Sequence, residues 1–278
     1  MDTSENDRPS VAADPPTNVL WTSGWDSTFR VVELLLQGKQ VQPWYVVFDV
    51  TPRPSTKREL KTMRKIRAAL ASKYPQTQAL LLPTKLVRES SLPVRSELYG
   101  AANRLRASRG SVPSQYPVLA TLLEKLGEPM EVGVELGGHA FHLLEQDIVV
   151  DSVTGRQSVG ADADPDLVAI FGRMELPLFW ISKPAMGETA AERGFDDIME
   201  MTWFCASPVM GTPCGYCAPC RTTRAYGMER RVGKQTKSKH LAYKAIWALR
   251  RTPPRAAIRK IASRLREALV VVEGLVKT

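Results

Sequence analysis

The chain has 278 residues, of which 44% are hydrophobic and 24% are charged, a composition typical of folded globular proteins. It contains no apolar run of the roughly 18 residues that a membrane span needs, and residues 1–17 lack the apolar core of a secretory signal. We therefore expect a cytoplasmic protein with a disordered N-terminal tail at 1–17. The net charge of +9 is uneven, because residues 221–278 hold 16 Lys and Arg against 3 Asp and Glu, and the rest carries −4.

Short apolar runs alternate with helical patterns along the first half of the chain. The predicted strands are 18–22, 44–48, 78–82 and 130–135, and the predicted helices are 29–36, 56–70 and 116–126. Thr56 and Glu59 have the spacing of a capping box, whereas residues 87–114 have little pattern and are expected to be partly helical or a mobile loop. The alternation predicts an α/β fold, with a parallel sheet covered on both faces and ligands bound beyond the carboxyl ends of its strands.

The turn between the first strand and the first helix is rich in small and hydroxyl residues. It consists of Thr22, Ser23, Gly24, Trp25, Asp26, Ser27 and Thr28. The first amides of a helix have no partner within the helix, and the helix dipole favours an anion beside them. The turn could therefore bind phosphate. The alternative is an ordinary helix N-cap, since Ser, Thr and Asp are preferred there.

This turn resembles the PP-loop signature Ser-Gly-Gly-x-Asp-Ser-Thr of ATP pyrophosphatases, with Thr22 and Ser23 in place of the first Ser and the first Gly. The resemblance implies a Rossmann-like PP-loop domain that binds ATP with Mg²⁺ through residues 22–28. It further implies that Asp26 and Ser27 take part in catalysis and that Asp49, at the end of the second strand, helps to bind adenosine. Such a reaction requires space for a nucleotide beside the turn.

A lysine-containing segment at 176–194 resembles the Pro-Leu-…-Lys-x-Glu-…-Gly stretch of the same family, with Ala185 at the usual Glu position. The resemblance implies that Lys183 lies beside the nucleotide and offsets charge as pyrophosphate leaves. The alternative is a surface lysine at the start of a helix.

All four cysteines lie in one short segment, at Cys205, Cys214, Cys217 and Cys220. Four thiolates form the tetrahedral cage that a structural Zn²⁺ prefers. Disulfides and free thiols are less suited to such clustering, and an iron–sulfur cluster is the main alternative because this spacing also suits iron. We predict a zinc module at 201–232, after an ATP-binding domain at 18–200.

Residues 201–205 (Met-Thr-Trp-Phe-Cys) and 213–221 (Pro-Cys-Gly-Tyr-Cys-Ala-Pro-Cys-Arg) are similar to the C-terminal motifs of 7-cyano-7-deazaguanine synthases. The similarity implies a divergent ligase that adenylates a 7-carboxy-7-deazaguanine-like acid, amidates it with ammonia and dehydrates the amide to a nitrile with a second ATP. A related enzyme of anti-phage operons would use a protein amine instead. The same loop would also suit a tRNA-modifying thiolase or a non-catalytic scaffold that binds nucleotide or RNA.

The expected acceptor pocket departs from that family. Where the synthases carry an Asp and a Tyr-Pro-Asp-Cys-Arg stretch, this chain has Glu135, Gly137, Gly138, His139 and His142. The glycines would let a ligand approach the backbone, and the two histidines could share one face of a helix. These residues form a candidate substrate pocket, although an ordinary helix start explains them equally well.

Residues 233–278 are predicted to form a basic extension of two amphipathic helices separated by Pro253-Pro254. Their polar faces could contact RNA, an acidic protein or a membrane surface. Alternatively, the helices pack on the body and leave a solvated basic face. The sequence is also compatible with a homodimer.

Overall fold

The computed structural model describes residues 15–50 and 52–251. Residues 1–14 of the tail expected at 1–17 and the second helix after Pro253-Pro254 lie outside these residues, whereas Thr17 already belongs to the first strand. The described strands are β1 (Thr17–Leu20), β2 (Val41–Val47), β3 (Lys85–Arg88), β4 (Met130–Glu131), β5 (Ile148–Val150), β6 (Gln157–Val159) and β7 (Met174–Glu175). Five of them form a parallel sheet in the order β3-β2-β1-β4-β7, and β5 pairs with β6 in an antiparallel hairpin.

Helices follow most of the strands. They are α1 (Trp25–Leu36), α2 (Thr56–Lys73), α3 (Thr77–Leu80), α4 (Ser96–Ser108), α5 (Gln115–Leu126), α6 (Phe141–Leu144), α7 (Pro165–Phe171), α8 (Lys183–Glu192), α9 (Asp196–Glu200), α10 (Ala218–Ala225), α11 (Glu229–Val232) and α12 (Lys237–Arg251). Within the described ranges, no helix combines the length and the apolar character that crossing a bilayer requires.

The parallel sheet separates two apolar cores. Successive strand residues point to opposite faces, so Val19 and Trp21 pack with α1, α2, α8 and α9, whereas Leu20 packs with α4, α5, α6 and α7. A strand buried on both faces is a near-continuous apolar run, which is the pattern that predicted these strands. The predicted α/β class, a parallel sheet flanked by helices, is confirmed.

The prediction of a third strand at 78–82 is wrong. Residues 78–80 belong to the short helix α3, and only Leu81 bridges to Val41 in the sheet. The third strand in sequence is β3, an edge strand of the parallel sheet whose side chains are mostly exposed. A short apolar run fits a buried helical turn as well as a strand, and an exposed edge strand carries little apolar signal.

The predicted capping box at the start of α2 is also wrong. Ser55 is the N-cap residue and makes no side-chain capping bond. The carboxylate of Glu59 instead accepts a hydrogen bond from the Tyr45 hydroxyl at 2.7 Å, so a tertiary contact replaces the local one. The segment 87–114 is partly helical, because α4 occupies its middle.

The four cysteines belong to a small third core with Trp203, Val209 and Val232. The first predicted helix of the basic extension is present as α12, and it packs beside this core. The Tyr216 ring lies 4.6 Å from the His240 ring and 5.7 Å from the Tyr243 ring.

Candidate nucleotide site and metal centre

A cavity of about 720 Å³ lies beyond the carboxyl ends of β1, β2 and β4. Its wall includes five residues of the predicted phosphate-binding turn: Thr22, Gly24, Trp25, Asp26 and Ser27. The cysteine-containing segment also lines the cavity, through residues that include Trp203 and Phe204. The volume falls within the usual range for small-molecule sites, so the space that a nucleotide requires is present beside the turn.

The turn presents the open end of α1 to this cavity. Gly24 is the N-cap residue of α1, with extended backbone, and the Ser27 hydroxyl lies 3.3 Å from the backbone nitrogen of Thr22. The amides of the first helical turn have no partner inside the helix and are therefore available to an anion. This arrangement is what the phosphate-binding interpretation requires.

Two residues of the turn have structural roles instead. Ser23 is fully buried with φ +58°, its carbonyl accepts from the Trp203 amide at 2.8 Å, and its hydroxyl has no partner among the described residues. Glycine adopts this left-handed conformation without strain, so Ser23 strains the position where the PP-loop signature has Gly. Thr28 is buried and accepts from the Trp21 indole at 3.0 Å.

Lys183 lies at the first position of α8, with Ser182 as the capping residue, yet its side chain is only 15% exposed. Its ammonium group donates to Asp26 at 2.5 Å and to Glu135 at 2.6 Å. The lysine therefore lies at a helix start, but it is not a surface residue, and its side chain reaches the candidate site.

Burial and the ion pairs of this cluster shift the pKa values of Asp26 and Lys183. Burial raises the pKa of Asp26 to about 6, with Lys183 lowering it and Glu135 raising it. Burial alone would lower the pKa of Lys183, but the carboxylates of Asp26 and Glu135 outweigh burial and raise it. Lys183 is consequently charged at neutral pH, between two acidic partners.

The predicted substrate-pocket residues Glu135, Gly137, Gly138 and His139 all line the cavity, together with His142. A Cβ atom on Gly138 would lie 2.8 Å from the carboxyl carbon of Glu135, so this glycine makes room for Glu135. The prediction that His139 and His142 share one face of a helix is wrong, because α6 begins at Phe141 and His139 precedes it.

Asp49 does not line the described cavity. Its carboxylate accepts from the backbone nitrogen of Ser90 at 3.0 Å and from the Ser90 hydroxyl at 2.7 Å. These bonds lower its pKa. At this end of β2 the cavity is instead lined by Phe48 and Arg53, which the sequence did not indicate. The Arg53 guanidinium stacks 3.8 Å above the Phe48 ring and donates to Gln115 at 2.8 Å.

Gly133, just beyond β4, is a further site residue that the sequence did not indicate. A Cβ atom there would lie 3.1 Å from Cβ of Asp26 and 3.3 Å from the amide nitrogen of Ser27. A side chain would push the first turn of α1 away from the sheet. The close approach of these two segments therefore fixes the position of the amides at the start of α1.

Gly133→Ala is expected to weaken ATP binding by about tenfold, since a displacement of a few tenths of an ångström misaligns the amides. Calorimetric titration with ATP would measure this change in affinity. Gly100→Ala is the matched control, because its new methyl group would meet only the flexible end of Arg104 at 3.3 Å. Equal affinities of the two variants would contradict the role of Gly133.

The sulfur atoms of Cys205, Cys214, Cys217 and Cys220 all lie within 4.8 Å of one another, and all four residues are buried. Neighbouring sulfur atoms are 3.4 to 3.9 Å apart. Tetrahedral ligands at the usual zinc–sulfur distance of about 2.3 Å would be about 3.8 Å apart. The backbone amides of Cys214, Tyr216 and Cys217 donate to the sulfur atoms of Cys205 and Cys214 at 3.2 to 3.4 Å. The four cysteines could therefore hold a metal ion such as zinc, which would fasten this segment.

No protein-family model matches the chain, and no curated protein matches it either. The function therefore has to be inferred from the chemistry of the site.

Proposed function

We propose that this protein uses ATP to activate a carboxylate as an acyl-adenylate and then transfers the acyl group to a nitrogen nucleophile. The observation that supports it most is the convergence of the open end of α1 and the Lys183 cluster on one cavity at the carboxyl end of a parallel sheet. Open α/β sheets bind ligands at this edge, and a helix N-terminus with a nearby cation suits a polyphosphate.

In the first step a carboxylate oxygen of the substrate attacks the α-phosphorus of ATP. The bond from that phosphorus to the bridging oxygen breaks, and pyrophosphate leaves with the electron pair. The amides of Trp25 and Asp26 and the ammonium group of Lys183 stabilise the charge that develops on the leaving group. Asp26 and Glu135 are the carboxylates that could hold the Mg²⁺ that accompanies ATP, and the ion would neutralise phosphate charge.

In the second step a nitrogen nucleophile attacks the acyl carbon, a C–N bond forms, AMP leaves and the nucleophile loses a proton. We propose a 7-carboxy-7-deazaguanine-like acid as substrate, on the sequence similarity described above. Phe48, Arg53 and Gln115 also line the cavity, and the guanidinium of Arg53 stacked on Phe48 together with the Gln115 amide offers a flat surface and polar groups for a planar heterocycle. Ammonia and a protein amine are the two acceptors that this chemistry admits.

A thiolase is less compatible with the described residues. The chain has four cysteines, and all four lie in the metal cluster, which leaves no thiol beside the cavity.

The test is incubation of the purified protein with ATP, Mg²⁺ and 7-carboxy-7-deazaguanine, with ammonia or a candidate partner protein. Mass spectrometry should detect AMP and pyrophosphate only when the acid is present, and either an amide or nitrile or an adduct on the partner. ATP binding without AMP formation across several acids would instead support a non-catalytic scaffold.

A further inference from the structure

Three cationic side chains line the cavity in the described part of the chain: Arg53, Lys183 and Arg231. Lys183 is held by two carboxylates, and Arg53 is engaged by Gln115 and by its stacking on Phe48. Arg231 differs from both, because it belongs to α11, which follows the metal-binding segment. Its guanidinium also lies against the ring of Trp25, a residue of the predicted phosphate-binding turn.

Arg231 stacks between two rings. Its guanidinium carbon is 4.8 Å from the centre of the Trp25 ring and 5.3 Å from that of Phe204. One amino group donates to the carbonyl and the hydroxyl of Thr202, at 2.7 and 2.6 Å. These contacts hold the guanidinium plane in one orientation beside the turn.

The charge of Arg231 is incompletely balanced in the described structure. Its side chain is 5% exposed, and its Nε atom lies 3.6 Å from Glu200. Glu200 is 40% exposed and also pairs with Arg230, so one carboxylate serves two arginines. Arginine remains charged even when buried, and a buried charge without a full partner is costly. An anionic ligand would supply the missing charge.

A second group beside Arg231 also lacks a partner. The indole nitrogen of Trp25 is buried and makes no hydrogen bond to the described residues, although Trp25 lines the cavity and is only 7% exposed. Buried polar groups in native proteins are nearly always hydrogen-bonded, so the unpaired Trp25 donor indicates an acceptor that the described residues do not supply.

We propose that Arg231 and the Trp25 indole nitrogen form an oxyanion subsite that holds the outer phosphates of ATP and the departing pyrophosphate. The inference rests on the proposed function. It adds to the phosphate site a cation and a neutral hydrogen-bond donor from two residues that the PP-loop signature does not specify. Arg231 supplies a forked donor set suited to phosphate oxygens, and Trp25 adds a single donor from within the turn.

The subsite links the metal centre to nucleotide binding. Arg231 is fixed on Thr202, three residues before Cys205, and α11 follows α10, whose N-cap residue is Cys217. A metal on the four cysteines would therefore hold both the residue that anchors Arg231 and the helix pair that carries it.

The experiment is calorimetric titration of the zinc-loaded full chain with ATP, inorganic pyrophosphate and AMP. Arg231→Met should weaken ATP and pyrophosphate binding by about 10- to 100-fold and change AMP binding by less than about threefold, since AMP lacks the outer phosphates. Trp25→Phe, which keeps the ring, should weaken the same two ligands by about three- to tenfold. Arg230→Met is the matched control, because Arg230 contacts the same Glu200 but is 64% exposed, and it should bind as the wild type does.

Zinc content and thermal unfolding establish that each variant is folded. If Arg231→Met does not fold, the Arg231→Lys and Trp25→Phe variants replace it as the test. If both of these bind pyrophosphate as tightly as the wild type does, the subsite is wrong. If the wild type activates the acid and the variants still bind ATP and pyrophosphate with wild-type affinity, the subsite is refuted and the proposed function stands. Arg231-dependent pyrophosphate binding without acid-dependent AMP formation would support the subsite and refute the proposed function. If the wild type binds neither ATP nor pyrophosphate, both are wrong.

Discussion

Replacing Lys183 with methionine is expected to lower the rate of acid-dependent AMP formation by about 10²- to 10³-fold, because the leaving pyrophosphate loses a preorganised buried cation. The ammonium group lies 2.5 Å from Asp26, on the first turn of α1, so it already lies beside the amides of the proposed phosphate site. Steady-state measurement of AMP release would test the prediction. Lys73→Met is the matched control, because Lys73 at the end of α2 forms an exposed ion pair with Asp197 of α9, and its loss should leave the rate unchanged.

The same variant should also lose stability in a pH-dependent way. Without Lys183, the partly buried carboxylates of Asp26 and Glu135 remain side by side, and breaking a buried ion pair costs about 3–5 kcal/mol. The pKa of Asp26, already raised from 3.8 to about 6, would rise further. The folded state then keeps a proton that the unfolded state has released, so the stability of the variant falls as the pH rises above 3.8. Denaturant unfolding should show a larger loss at about pH 8 than at about pH 5, and near-wild-type turnover in a folded variant would contradict the role of Lys183.

Replacing Cys217 with serine is expected to remove the metal and disorder the segment that it fastens. The third core is small, and a structural zinc ion contributes about 10–16 kcal/mol of binding free energy in comparable peptides. Elemental analysis should show loss of about one metal ion per chain, and proteolytic cleavage between residues 201 and 251 should rise by at least about tenfold. ATP affinity should fall in parallel, since this segment forms one wall of the cavity.

Met210→Ser is the matched control for the metal centre, because Met210 lies between the first two cysteines and is 97% exposed. It should keep the metal and the protease resistance of the wild type. The absorption spectrum distinguishes the metals, since a zinc protein is colourless and an iron–sulfur protein is not. A Cys217→Ser protein with full metal content and wild-type protease resistance would refute the structural role of the cluster.

The features that could be predicted from the sequence depend on residues that are close along the chain. The β1–turn–α1 unit occupies fewer than about 25 consecutive residues, and the four cysteines lie within one loop and one helix start. For such units, apolar periodicity, capping preference and ligand spacing all indicate the same local structure.

The features that could not be predicted depend on contacts between distant segments. Lys183 is 157 positions from Asp26 and 48 from Glu135, so their meeting depends on the order of strands in the sheet. The role of Gly133 follows from the packing of β4 against α1, and no local pattern marks it. Asp49 is the converse case: its place just after β2 favoured a ligand role, and in the structure its carboxylate accepts two hydrogen bonds from Ser90.

The most direct test of carboxylate activation is to follow an isotope from the acid to AMP. When the acid carries ¹⁸O in its carboxyl group, attack on the α-phosphorus transfers one of those oxygens to the phosphate, where it remains after the acyl group has moved to nitrogen. Mass spectrometry should find AMP with one ¹⁸O atom per turnover. Unlabelled AMP from labelled acid, with product formed at the same rate, would contradict the proposed chemistry.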